Sequence, residues 1–182
     1  MNLPNKITVS RILLIPVFLL VYFAEPFADI LNRWVVLTLF VAAASTDALD
    51  GYLARKLKLV SNFGKLIDPL ADKLLVCSAL IAFTATGIMP AWATILIVSR
   101  EFFISGMRQL ALEQNVVLAA TGLGKLKTIF QITLIVYILL PLHFLVFAPV
   151  TYALIIAAVV FTVWSAIDYS IKNIQVFTNN SV

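Results

Sequence analysis

Apolar residues run along this chain in six long stretches, separated by short clusters of turn-forming and polar residues. A helix that crosses a bilayer needs about 20 mostly apolar residues. The stretches 7–24, 34–57, 64–86, 91–112, 127–147 and 151–171 meet that need, and each is predicted to be a spanning helix. Between them stand Glu25-Pro26, Ser61-Asn62, Gly87 with Pro90, Gly122-Leu123-Gly124 and Pro149, residues that favour turns and helix ends. No internal repeat or low-complexity tract is visible, and no polar segment is large enough to fold alone. Residues 1–182 are therefore read as a single all-α membrane domain, with a short interfacial segment ahead of the first span.

Composition strengthens this reading. Of 182 residues, 62% are hydrophobic and 12% charged, against roughly 45–50% and about 25% in ordinary soluble domains. So few charges cannot cover a water-facing surface. Lys6 and Arg11 ahead of the apolar run 12–24 resemble the start of a signal peptide, but the small-residue cleavage pattern is poor. A retained first helix is expected. The lone Cys77 lies in an apolar run, has no disulfide partner in the chain, and reads as a packing residue.

The net charge of +4 would suggest nucleic acid until its carriers are placed. Lys6, Arg11, Arg55, Lys56, Lys58, Lys65, Arg108, Lys125, Lys127 and Lys172 fall toward one side of a six-span topology; only Arg33 falls on the other. Excess Lys and Arg mark the cytoplasmic side. Both termini are expected in the cytoplasm, and the basic residues are topology and anionic-lipid signals rather than a nucleic-acid surface. The lack of a presequence favours a bacterial plasma membrane.

Against this background four carboxylates stand out. Asp47 and Asp50 lie in the second span, Asp68 and Asp72 in the third. A carboxylate at helix centre costs about 2.5–3.5 kcal/mol on insertion scales, so each needs compensation. The pairs are spaced i,i+3 and i,i+4, which keeps each on one helix face. At about 1.5 Å per residue, Asp47 and Asp50 lie roughly 20 and 24 Å along from Trp34. Asp72 and Asp68 lie about 21 and 27 Å from Thr86 on the returning helix. The two pairs meet at one level, near the cytoplasmic edge of a hydrocarbon core about 30 Å thick.

Four carboxylates at one level repel unless a cation sits among them. Hard oxygen donors suit Mg²⁺ or Mn²⁺, and two such ions can clamp the attacking and leaving oxygens of a phosphoryl transfer. Gly51 and Ala54 keep the neighbourhood small, and Arg55 offers a fork matched to phosphate oxygens. Ser61-Asn62 is suited to cap the third helix, leaving Ser61 within reach of a substrate, and Pro69 removes an amide donor inside that helix. Intramembrane carboxylates also line cation pathways, so a divalent-cation transporter remains a second reading. Transporter sites usually lie near the midplane in broken, repeated helices. The edge position and the absence of a repeat favour an enzyme.

The residues spell Asp47-x-x-Asp50-Gly51-x-x-Ala54-Arg55, eight residues, Gly64, three residues, Asp68, three residues, Asp72. This pattern resembles the signature of the CDP-alcohol phosphatidyltransferases, with every fixed position filled. The resemblance covers nearly the whole chain. Asn2-Leu3-Pro4-Asn5-Lys6-Ile7-Thr8 with Arg11, Ser99-Arg100-Glu101 with Gly106 and Arg108, and Gly124-Lys125-Leu126-Lys127-Thr128 resemble the bacterial branch that makes phosphatidylglycerophosphate.

The resemblance implies a six-helix membrane fold with a cytoplasm-facing polar cavity, usually homodimeric. It implies a reaction of CDP-diacylglycerol with an alcohol, giving a phospholipid and CMP. Asp47, Asp50 and Asp68 would be metal ligands, and Asp72 the base for the attacking hydroxyl as well as a ligand to a second metal. Gly51, Ala54, Arg55 and Ser61 would contact the CDP portion, with Asn5 and Thr8 helping from the first segment. Direct attack is expected, because no Ser, Cys or His nucleophile accompanies the cluster.

The acceptor is read from charge. Arg100 lies about 15 Å from Pro90 by helical rise, deep enough to need a cavity or a partner such as Glu101. Snorkelling could account for Arg108, Lys125 and Lys127 one by one. Together with Arg100 they could instead hold an acceptor that carries its own phosphate. That favours sn-glycerol 3-phosphate over serine or free inositol, and leaves inositol phosphate open. Thr121-Gly-Leu-Gly-Lys125 is set aside as a phosphate loop, because Ala119 and Leu126 fill its first glycine and hydroxyl positions. His143 reads as a loop residue and Asp168 as a locally paired one.

Overall fold

The computed structural model describes residues 3–24, 30–57, 62–113, 122–140 and 148–174; the side chains of 3–8, 30, 47–57, 62–70, 72, 112 and 113 lie outside that description. The described residues form six helices and no strand: α1 (Leu3–Ala24), α2 (Ile30–Leu57), α3 (Asn62–Ala85), α4 (Ala91–Glu113), α5 (Gly122–Leu139) and α6 (Ala148–Lys172). The order matches the six apolar stretches. Among the described residues, α5 and α6 are long and apolar enough to cross a membrane, and Val9–Ala24, Leu31–Thr46 and Lys73–Ala85 form shorter apolar helical segments.

Proline and glycine set the boundaries, with three departures from the sequence pattern. The Gly122-Leu123-Gly124 cluster, expected as a break, is the first turn of α5. At its other end α5 stops at Leu139 rather than reaching 147. Leu140 precedes Pro141, and the proline ring disfavours helical geometry in the residue before it. Pro149, expected as a turn, sits in the first turn of α6, where a missing amide hydrogen removes no intrahelical bond. Pro90 ends the α3–α4 turn, and its carbonyl accepts from the amides of Ala93 (3.1 Å) and Thr94 (3.4 Å).

Gly87 in that turn has φ +75°, and a Cβ there would meet nothing within 4 Å. The cost of a side chain is thus backbone strain alone. Gly87→Ala should cost about 1–2 kcal/mol, read as a lower thermal midpoint of the purified protein in detergent, with turnover unchanged.

Contacts divide the chain into two units, one of residues Met1–Thr86 with Ile135–Val146, the other of Gly87–Leu134 with Phe147–Val182. In the first unit α1 packs on both α2 and α3, and α2 packs on α3. Phe18, Phe40 and Phe83 are fully buried, with Tyr22 nearly so. Their ring centroids lie 6.1 Å apart for Phe18 and Phe40 and 5.7 Å for Tyr22 and Phe83, within the range of favourable aromatic pairs. Ala43, Ala71, Ala79 and Ala82 bring the backbones close. Cys77 is buried here and forms no disulfide.

In the second unit α4 packs on α6. Ile104 and Met107 of α4 meet Tyr169 of α6. Exposure is inverted relative to a soluble protein. Leu13, Leu20, Ile95, Phe102, Ile129 and Ile171 lie more than half exposed, while Arg11, Glu101, Lys127, Gln131 and Thr162 are buried. A surface this apolar marks contact with a membrane or a partner rather than with water.

Candidate active site

The candidate site residues fall into two groups, one in each unit. The first begins with buried stripes on α2 and α3. Val36, Phe40 and Ala43 are buried along α2 at spacings of four and three residues. Leu75, Ala79 and Ala82 repeat that spacing along α3. Continued by the same register, the α2 stripe reaches positions 47, 50 and 54, and the α3 stripe, extended toward its N-terminus, reaches 72 and 68.

The side chains of Asp47, Asp50, Gly51, Ala54, Arg55, Asp68 and Asp72 lie outside the described residues, as do those of Asn5 and Thr8; their backbones belong to α2, α3 and α1. Ser61 lies outside altogether. Among the described residues no three His, Cys, Asp or Glu side chains converge on one point.

What the structure describes at the edge of this region is Arg11. It is fully buried, and its Nε donates to Thr46 Oγ1 at 3.2 Å. Thr46 immediately precedes Asp47, so this contact fixes α1 against α2 one residue before the acidic pair. A buried guanidinium is costly unless it is paired. Sequence reading assigned Arg11 to topology and to the lead-in and missed this contact, which only the folded chain creates.

The second group gathers on α4, α5 and α6. Glu101 Oε1 accepts from Arg100 Nη1 at 3.2 Å and from Lys127 Nζ. Arg100 Nη2 donates to Ser165 Oγ at 3.0 Å, and Ser165 Oγ donates to the Thr162 carbonyl at 2.9 Å. Gln131 Nε2 donates to Thr162 Oγ1 at 3.1 Å, and Gln131 Oε1 accepts from Lys127 Nζ at 3.5 Å. The six residues form a closed circuit. It holds two cations and one anion.

The other two expected acceptor cations are not members of this hydrogen-bond circuit. Arg108 donates from Nε to Tyr169 Oη at 3.1 Å, with its guanidinium carbon 5.5 Å from that ring's centroid. Lys125 is exposed in the first turn of α5, two residues before the buried Lys127. Two residues turn a helix by about 200°, so the two lysines occupy opposite faces. Asp168 pairs locally, Oδ1 to Lys172 Nζ at 2.7 Å.

Sequence reading found Arg100 and Lys127 and named Glu101 as a partner for Arg100. It missed Gln131, Thr162, Ser165 and Tyr169. A signal existed, since Gln131 stands four residues after Lys127, and Thr162 and Ser165 are i,i+3 in an apolar run.

Comparison with known proteins identifies the family. The family described as CDP-alcohol phosphatidyltransferase matches residues 1–164. The chain belongs to the CDP-alcohol phosphatidyltransferase family. A Bacillus subtilis (strain 168) protein named CDP-diacylglycerol–glycerol-3-phosphate 3-phosphatidyltransferase is 44% identical to it, over 94% of this chain and 95% of that one. Proteins of the same name from Rickettsia typhi and Cereibacter sphaeroides are 42% and 41% identical, over 71% and 76% of this chain and 71% and 63% of their own lengths. As a CDP-alcohol phosphatidyltransferase the chain is a transferase, and dependence on a divalent metal is general in the family.

The donor chemistry fits such a metal. Asp47, Asp50, Asp68 and Asp72 are all hard oxygen donors, spaced i,i+3 on α2 and i,i+4 on α3.

Proposed function

We propose that this enzyme transfers the phosphatidyl group of CDP-diacylglycerol to sn-glycerol 3-phosphate, giving phosphatidylglycerophosphate and CMP in phospholipid biosynthesis. One observation carries the reading: the 44% identity that extends over 94% of this chain to a relative named for that reaction. Arg100 and Lys127, gathered on Glu101, agree with it, because an acceptor that brings its own phosphate is recognised by cations.

The helices run 18 to 28 residues, lengths that suit six crossings of the plasma membrane. Both termini then lie in the cytoplasm with the basic residues. The polar cavity opens on that side, and the functional unit is a homodimer, as the sequence resemblance implies. Membrane lipids surround the apolar exterior and deliver the lipid substrate with its diphosphate at interface depth.

Asp47, Asp50, Asp68 and Asp72 would hold Mg²⁺ or Mn²⁺, in one or two ions, which when bound neutralise the diphosphate and the charge gathering on departing CMP. Asn5, Thr8, Gly51, Ala54, Arg55 and Ser61 bind the CDP portion; Gly51 and Ala54 do so by staying small, and Arg55 by its fork of donors. Arg100, Arg108 and Lys127 serve the acceptor phosphate; Lys125, expected beside them, lies on the opposite face of α5 from Lys127.

Asp72 takes the proton from the acceptor hydroxyl as that oxygen bonds to the phosphorus carrying diacylglycerol. The anhydride bond to the CMP phosphate breaks, and CMP leaves as the anion. Charge and positioning supply most of the acceleration in such transfers.

The test is CMP release by the purified protein in detergent, given CDP-diacylglycerol, Mg²⁺ or Mn²⁺, and one acceptor at a time. Release that depends on glycerol 3-phosphate is expected. Release with serine or inositol phosphate instead would preserve the chemistry and overturn the acceptor.

A further inference from the structure

We infer that Tyr169 is a positioning residue for the acceptor phosphate: its hydroxyl holds the Arg108 guanidinium at Nε and leaves the two terminal nitrogens to bind. The inference rests on the acceptor reading above and adds to it a residue of α6 that acts through Arg108.

Tyr169 is a rigid post. It is 1% exposed and packs against Ile104 and Met107 of α4. Its carbonyl accepts from Asn173 Nδ2 at 2.7 Å, which ties the end of α6 at the same point. A ring enclosed in this way has little freedom to turn. Its hydroxyl oxygen accepts from Arg108 Nε at 3.1 Å, and the guanidinium carbon lies 5.5 Å from the centre of the same ring. Two contacts to one immobile side chain thus set the direction of the arginine.

A guanidinium carries five N–H bonds in a fixed fork. Tyr169 takes the one on Nε. Among the described residues Arg108 has no other hydrogen-bond partner and no carboxylate paired with it. Nη1 and Nη2 keep their N–H bonds, and Arg108 is only half-buried. Those two nitrogens form the edge that matches two oxygens of one phosphate.

The choice of partner separates an aimed cation from a helix tie. A tie between α4 and α6 would be stronger through a carboxylate, and Asp168 stands next to Tyr169 in the chain. Asp168 pairs instead with Lys172 of its own helix, Oδ1 to Nζ at 2.7 Å. A phenol orients the guanidinium without cancelling its charge. One turn earlier on the same face of α6, Ser165 holds Arg100 Nη2 at 3.0 Å, but Arg100 is also paired with Glu101. Arg108 is held by the hydroxyl and ring of Tyr169 alone, among the described residues.

Without the hydroxyl, Arg108 keeps its charge and loses its aim. Its long side chain must then be ordered at each binding event, which weakens the hold on the phosphate.

The experiment compares the full-length protein with Tyr169→Phe, Arg108→Lys and the double variant in detergent, measuring KM for each substrate, kcat and the thermal midpoint. Phenylalanine keeps the ring and its packing and deletes only the hydroxyl. Tyr169→Phe should raise the glycerol 3-phosphate KM about 10-fold, the effect of one charge-assisted hydrogen bond. The KM for CDP-diacylglycerol should stay within about twofold, the pattern of lost acceptor binding rather than lost chemistry. Arg108→Lys keeps the charge, removes the fork, and should raise the same KM by about 10-fold or more. The double variant should be no worse than Arg108→Lys, because the hydroxyl then has no fork to aim.

A native glycerol 3-phosphate KM in folded Tyr169→Phe would overturn the inference. Equal rises in the KM for both substrates, or effects that multiply in the double variant, would reduce the contact to a helix tie. Arg108→Lys keeps the test decisive if Tyr169→Phe does not fold, since a native KM there would show that an unaimed charge suffices. A native protein that ignores glycerol 3-phosphate would instead defeat the acceptor reading, and this inference with it, before any variant is made.

Discussion

Asp72→Asn is expected to lower kcat for CMP release by about a thousandfold, within the range that general-base catalysis contributes. Asparagine keeps the size of the side chain and one carbonyl oxygen, but it has no basic site for the acceptor's proton. The attacking hydroxyl must then lose its proton to a far weaker base such as water. Asparagine and aspartate are nearly isosteric, so the substitution removes a charge with little change of volume.

Direct attack makes this prediction strict. A covalent route through an enzyme nucleophile would let CMP leave before any acceptor arrives, and Asp72→Asn would then still release about one equivalent of CMP per site. The decisive measurement is rapid-quench CMP release, with and without glycerol 3-phosphate. No CMP release without the acceptor in either protein, together with lost turnover in the variant, supports Asp72 as the base for the acceptor. A burst that survives the substitution would require a nucleophile that the cluster does not contain.

The six helices could be read from hydrophobic runs because each apolar stretch is long and the turn-forming residues fall between them. Ends were harder. At Leu140 a rule about the residue before proline decided the boundary, and at Gly122 two glycines accepted a helical turn that their conformational freedom allowed them to avoid. The aspartate pattern could be read because metal and diphosphate chemistry depends on local spacing, which a linear sequence displays directly.

The circuit of the second unit could not be read in the same way. Glu101 and Lys127 are 26 residues apart and Arg100 and Ser165 are 65 apart, so their meeting depends on how α4, α5 and α6 rotate about their axes. Periodicity in an almost uniformly apolar helix fixes that rotation poorly. Polar residues in such helices are the better guide, since each buried one needs a partner. Gln131, Thr162 and Ser165 carried that information unread. The Arg11–Thr46 contact eluded the same reading for the opposite reason: a basic residue near a span end already had a sufficient explanation in topology.

Asp50→Asn should behave differently from Asp72→Asn, and the contrast separates a metal ligand from a base. Removing one carboxylate from a set of four weakens the hold on a hard divalent cation. The loss of one charged contact corresponds to about a 10- to 100-fold rise in the Mg²⁺ concentration needed for half-maximal turnover. Because Asp50 shares its helix face with Asp47, the remaining three carboxylates still carry net negative charge, and a large excess of Mg²⁺ should recover part of the rate. Asp72→Asn should recover none. In the native protein a chelator should stop CMP release, and added Mg²⁺ or Mn²⁺ should restore it. Isothermal titration of Mn²⁺ into each variant, in detergent and without lipid substrate, gives a readout independent of turnover: Asp50→Asn should bind more weakly than the native protein. Native-like Mn²⁺ affinity in Asp50→Asn, together with lost turnover, would remove Asp50 from the ligand set and leave the cation to Asp47, Asp68 and Asp72.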